Sequence, residues 1–270
     1  MSRQTPVSKP IYSLLPTDVE GFDLLALGRA NPNDSSEPFN MAEVRQYLRD
    51  NALMRFEEYH VDGLRLRHGE TTASQTGGYC GTLDPDLTLE GYQMAGDFAD
   101  AYKSLPWVAV FSSPLRRAVA TAKPLCEAAG IRMQLKEGLR EIAYGQWEGK
   151  TPEVVNREFH DTYVRWLADP GWNAPTGGER GIDIARRSSL VLEEIEKTYT
   201  TGNVLVVSHK ATTRIMLCSL LGIDVGRFRD RISMPVASIS IVEMAVHGPL
   251  LRMMGDRSYL RDLLRRRVGT

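Results

Sequence analysis

Arg67 and His68 stand side by side at the end of an alternating run, Val61 to Arg67, after which the chain turns polar through Gly69, Glu70 and Thr71. A histidine beside an arginine at a strand end suits a nucleophile held against an anion: imidazole attacks, and the guanidinium grips the group attacked. Alone, the pair is common enough to belong to any surface loop. Two later stretches carry matching chemistry. Trp107 to Phe111 is a compact apolar run followed by Ser112-Ser113-Pro114-Leu115-Arg116-Arg117, and Asn203 to Val207 is another, followed by Ser208-His209. Between them, Leu139 to Gly145 is turn-like and carries Glu141. Two histidines, two arginines and one carboxylate suit a phosphate. The cations neutralise the transferring oxygens, one imidazole attacks phosphorus, and the carboxylate handles the leaving-group proton.

Those residues need strands to deliver them and helices to cover the strands. From Val61 onward the pattern is strand, loop, helix, repeated. Helices are predicted over Leu89 to Ser104, Leu115 to Ala129 with Gly130 as the stop, Ile182 to Tyr199, and Ala211 to Leu221 before Gly222. Thr151-Pro152 reads as a helix start, an N-cap followed by proline at the first position. Ser238 to Met244 alternates as a less buried strand does. The alternation predicts an α/β fold of three layers, a central mostly parallel sheet with helices on both faces, and in such sheets ligands bind beyond the strand C-termini. Residues 1 to about 38 are rich in proline and turn formers; Asn40 with Glu43 resembles a capping box, and Met41 to Glu58 reads as a helix. Residues 1–58 are therefore taken as an N-terminal extension and 59–270 as the catalytic domain.

Composition sets the outer limits. The chain has 270 residues, 42% of them hydrophobic, so a sizeable core is expected. A net charge of −1 argues against general attraction to nucleic acid or an anionic membrane. Cys80, Cys126 and Cys218 lie far apart, which fits reduced thiols in a cytoplasmic protein. Met1 to Leu15 has no apolar stretch of signal-peptide length. The five histidines show no metal-ligand spacing, and a homodimer is left open.

Taken together, the motifs resemble the histidine phosphatase superfamily, the phosphoglycerate-mutase-like group. They are Arg67-His68-Gly69-Glu70-Thr71, Asp84 to Gly91, Ser112 to Thr121, Leu139-Arg140-Glu141, Tyr144 to Gly149, Gly177-Gly178-Glu179 and Val207-Ser208-His209, in family order between about Gly63 and Leu260. The resemblance implies that His68 becomes the phosphohistidine, that Arg67 and Arg117 clamp the phosphate, and that His209 donates to a phosphoryl oxygen. It further implies that Glu141 protonates the leaving oxygen and then activates water, with no metal and no cofactor, on a small phosphorylated metabolite. Ser74 stands where the mutases carry asparagine, and Lys210 where glycine is frequent; both are expected at the substrate, with Tyr79, Cys80 and Gly81 in the loop after the nucleophile. Arg214 matches a frequent family arginine and is expected in a structural ion pair. The Tyr144 to Gly149 segment looks like the phosphatase branch. Mutase-type phosphoryl transfer and a weakly catalytic phospho-ligand-binding protein are the alternatives.

Overall fold

The computed structural model describes residues 63–245, 247–267 and 269, all within the unit Ala42–Thr270. The extension and its expected helix at Met41 to Glu58 lie outside the described residues, as do Val61 and Asp62. In chain order the described elements begin with β1 (Gly63–Arg67), α1 (Thr72–Thr76), α2 (Leu89–Tyr102), β2 (Trp107–Ser112), α3 (Arg116–Ala129) and β3 (Met133–Leu135). They continue with α4 (Pro152–Glu158), α5 (His160–Ala168), α6 (Gly181–Thr198), β4 (Asn203–Ser208), α7 (Lys210–Leu221) and α8 (Phe228–Arg231). β5 (Ile239–Ala245), β6 (Gly248–Asp256) and α9 (Asp262–Arg265) complete the set.

The strands form one sheet in the order β3-β2-β4-β1-β5-β6. β3, β2, β4 and β1 run parallel, and β5 and β6 add an antiparallel edge. Side chains alternate across it as strand geometry requires. Leu64, Leu66, Leu205 and Val207 face Met94 and Phe98 of α2 and Leu125 of α3. On the other face Phe111, Val204 and Val206 pack on Val191 and Ile195 of α6 and Met216 of α7. The result is the three-layer α/β/α arrangement expected from the sequence.

Helix ends follow their local chemistry. Thr88 caps α2 by accepting from Gly91 N, and Thr151 caps α4 by accepting from Val154 N. α3 and α7 stop at Gly130 and Gly222, both with positive φ, where a side chain would be strained.

One expectation about the strands needs correction. β5 is not generally less buried: Ile239 to Val242 are buried and only Glu243 to Ala245 are partly open. It is covered on both faces and paired on both sides, by β1 and β6. The arginine-rich C-terminal end is tied to the body of the domain. Arg267 donates to Glu70 at 3.0 Å and to Glu90 at 2.6 Å, and the Arg257 guanidinium holds the carbonyls of Leu264, Arg265 and Arg267.

Candidate active site

β1 lies between β4 and β5, so the residues leaving it emerge at the middle of the sheet's C-terminal edge. His68 N donates to Ser208 O, and His68 O accepts from Ala237 N, which ties the histidine to the chain on both sides. Gly69 N donates to Thr121 Oγ1 on α3. Here glycine is required by close approach: a Cβ on Gly69 would sit 2.6 Å from Gly91 O, and one on Gly91 would sit 2.2 Å from Glu70 O. The turn after the histidine thus rests directly on the first turn of α2.

The His68 ring is oriented by its own loop. Nδ1 lies 2.8 Å from Gly69 O. A carbonyl can only accept, so Nδ1 carries the hydrogen and Nε2 keeps its lone pair. Burial, then the nearby Arg117 and Arg67 guanidinium groups, hold the imidazole well below its ordinary value. A neutral imidazole with a free Nε2 lone pair is the form that can attack phosphorus.

His209 is fully buried beside it, ring centroids 5.0 Å apart. Its Nε2 is 2.7 Å from Ser113 Oγ, and Nδ1 has no partner among the described residues. Burial and Arg117 hold this imidazole low as well. Ser113 Oγ also accepts from Leu115 N, at the start of α3. One serine therefore links the end of β2, the first turn of α3 and the second histidine.

The two arginines come from different elements. Arg67, the last residue of β1, is buried and donates through Nη1 to Met234 O at 2.5 Å; burial above all lowers its pKa to about 9. Arg117, in the first turn of α3, is 1% exposed and donates to Leu83 O, Gly81 O and Asp84 Oδ1. Glu148 completes this loop: its carboxylate accepts from the backbone N–H of Gly81, Thr82, Leu83 and Tyr144.

Glu141 is buried at the N-terminus of α7. Its carboxylate accepts from Ala211 N, Thr212 N, Thr212 Oγ1 and Ile142 N. These donors fix its position, and its side chain reaches the cavity wall.

The cavity has a volume of about 570 Å³. Arg67, His68, Arg117 and Glu141 line it, as do Ser74, Tyr79, Cys80 and Lys210. Ser74 lines the wall, yet its hydroxyl is engaged in the α1 capping box, accepting from Thr71 N and donating to Thr71 O. Tyr79 packs on Tyr144, Trp147 and Trp166, an aromatic floor built partly from α5. The Cys80 thiol is pushed up to about 11 by burial, which keeps it in the protonated, less nucleophilic form near neutral pH. Gly81 is absent from the wall: its backbone serves Glu148 and Arg117, and a Cβ there would lie 1.8 Å from Ile142 O. Arg214 makes no ion pair among the described residues; it lines the cavity with its Nε buried and without a hydrogen bond.

Sequence reasoning assigned no role to Ser113, Glu148 or Arg229. Glu148 lies within a recognised motif and Ser113 just before the Arg117 helix, so both were within reach. Arg229 sits in a charge-rich stretch whose pattern gives no hint that it faces the cavity, where it lies over the Trp166 ring at 4.2 Å. Among the described residues no group of three or more His, Cys, Asp or Glu is placed to hold a metal ion, and no helix is long and apolar enough to cross a membrane.

Residues 64–257 match the histidine phosphatase superfamily, branch 1. The chain belongs to this family. It is 32% identical over 179 residues to phosphoserine phosphatase 1 of Hydrogenobacter thermophilus, covering 66% of this chain and 84% of the relative. It is 30% identical over 205 residues to glucosyl-3-phosphoglycerate phosphatase of Mycolicibacterium vanbaalenii, covering 73% and 88%. Among solved structures it is similar to Bacillus stearothermophilus YhfR, with a TM-score of 0.69 at 25% identity, covering 74% of this chain and 98% of that one. This histidine phosphatase is thus an enzyme of the phosphatase kind, with the α/β fold of its relatives.

Proposed function

We propose that this histidine phosphatase hydrolyses a small phosphorylated metabolite through a phosphohistidine, without a metal. The observation that carries the reading is the His68 ring, neutral and with Nδ1–H spent on Gly69 O, beside Arg67 and Arg117 on one cavity wall. In the first step the Nε2 lone pair of His68 forms a bond to phosphorus as the bond to the leaving oxygen breaks, and Glu141 supplies the proton that oxygen needs. In the second, Glu141 takes a proton from water, the water oxygen bonds to phosphorus, and His68 leaves as the neutral ring. Arg67, Arg117 and His209 Nδ1 offset the charge on the transferring oxygens, the role a metal fills elsewhere. Three separate thiols, Cys80, Cys126 and Cys218, all free, support a cytoplasmic setting.

The test is hydrolysis of p-nitrophenyl phosphate with EDTA present, beside a His68→Ala variant. Turnover that survives EDTA and drops by several orders of magnitude in the variant is expected, since groups acting as a unit fail together. Turnover unchanged in the variant would rule out the phosphohistidine. Phosphate release from 3-phosphoglycerate, compared with 2-phosphoglycerate formation, separates hydrolysis from mutase-type transfer.

A further inference from the structure

Beyond the groups given to the transferring phosphate, the cavity holds three more cations. Lys210 opens α7, Arg214 lies four residues on and so on the same helical face, and Arg229 comes from α8; all three line the wall. None of them has a carboxylate partner among the described residues. Among the described residues Arg214 Nε is buried without a hydrogen bond, and Arg229 lies over the Trp166 ring.

The nearby acids do not answer them. Asp230 lies against Arg227 at 3.8 Å. Glu153 is bonded to Thr151 in the first turn of α4. Glu141 is the carboxylate that attracts Lys210, but its oxygens already take N–H and O–H donors, and Arg67, Arg214 and Arg229 oppose the Lys210 charge. Like charges gathered in a half-buried wall are unfavourable until an anion joins them.

We propose that Lys210, Arg214 and Arg229 form a second anion subsite, which selects phosphomonoesters carrying a further carboxylate or phosphate group. The subsite rests on the reading that the transferring phosphate sits against His68. From there a substrate a few bonds long would present its second anion to the α7 face, so its two ends are held by separate cation sets. A neutral hydroxymethyl group in that place leaves the three cations uncompensated.

The test compares matched ligands by calorimetry on the full chain carrying His68→Ala, which removes turnover. 3-Phosphoglycerate against glycerol 3-phosphate reads a carboxylate; fructose 1,6-bisphosphate against fructose 6-phosphate reads a second phosphate. At least about tenfold tighter binding of the more anionic member of one pair is expected, the scale of one charge-assisted contact. Lys210→Ala, Arg214→Ala and Arg229→Ala should each shrink that ratio, and Lys210→Arg should restore it. Inhibition constants on the wild-type chain, read against p-nitrophenyl phosphate hydrolysis, give the same ratio without the His68 change. Equal binding within both pairs, or ratios that the three variants leave intact, would overturn the subsite. Absent hydrolysis with the selectivity present would remove the catalytic reading and leave the subsite standing; hydrolysis without selectivity would do the reverse.

Discussion

The rings of His68 and His209 meet at 60° with their centroids 5.0 Å apart, close enough that a proton on one disfavours a proton on the other. Burial is the larger cause, and the arginines add to it, so both rings titrate below the ordinary histidine range in the free protein. The unfolded chain would bind these protons first. Stability from the pair is therefore fully present above the unfolded value, about 6.5, and is lost as pH falls toward the folded values. Nitrogen-15 NMR of the two rings in the phosphate-free protein should show neutral imidazoles at pH 6.5, with Nδ1 of His68 protonated. A ring titrating at or above that pH would contradict the account. The ring signals are the right readout, because a substrate phosphate ionises near pH 6 and would blur a rate profile.

Ser113 is a positioning residue. Its hydroxyl bridges His209 Nε2 and Leu115 N. Ser113→Ala leaves a buried ring nitrogen unmatched, which costs about 1–3 kcal/mol. If His209 steadies the transferring oxygens, kcat should fall by about tenfold or more, since each 1.4 kcal/mol of barrier is a factor of ten. KM for p-nitrophenyl phosphate should change less than kcat. A purely structural serine would lower the melting temperature and leave kcat where it was.

Glu148 holds four backbone N–H groups of the Gly81 to Leu83 loop and Tyr144. That loop in turn supplies the carbonyls gripping Arg117. Glu148→Ala should destabilise by about 2–3 kcal/mol and lower the melting temperature by about 4–12 °C. KM should rise as Arg117 loses its frame, and Glu148→Gln, which keeps one acceptor oxygen, should fall between. Calorimetric melting and steady-state kinetics on the two variants check both parts.

Lys210 gives the second anion subsite a pH dependence. Burial and the surrounding arginines bring its pKa down to about 7. It is a cation below that pH and neutral above it, and a bound anion pulls the proton back. Selectivity for the more anionic ligand should therefore be strongest near pH 6 and weaken as pH rises through 7. Lys210→Arg should flatten the dependence, because a guanidinium keeps its charge. For stability the sign is opposite: the unfolded lysine keeps its proton between about 7 and 10.4, so stability rises with pH across that window.

The sequence made the sheet's middle and the chemistry legible, because buried strands such as Asn203–Ser208 carry an unbroken apolar run, here Val204 to Val207, with functional groups straight after it. Two strands escaped. Met133–Leu135 is three residues long, and Gly248–Asp256 is an edge strand with Pro249 and mixed exposure, so neither has a clean period. The alternation in β1 also hid a fact: Arg65 is buried like the leucines beside it and feels the charge of Glu196, so this strand has a charged core face. Around the cavity, Arg67 and His68 were readable because they close β1 and Arg117 because it opens α3, whereas Glu141, in a turn-like stretch, was readable only through the Leu139-Arg140-Glu141 motif. Gly81 was misplaced because a loop's backbone can serve a site from behind its wall. Arg229 and the Arg267 pair with Glu70 depend on approaches across long stretches of chain, which no local pattern encodes.

The sheet order also has a consequence for how this molecule comes into being. β1 is the earliest of the described strands to be synthesised, yet its neighbours, β4 and β5, begin at Asn203 and Ile239. Until those segments leave the ribosome, Leu64 and Leu66 have no sheet to join. Non-local pairing of this kind is slow and leaves apolar surface waiting. His68 is thus made early and seated late, and a chain interrupted before Ile239 carries the nucleophile without the place that makes it one.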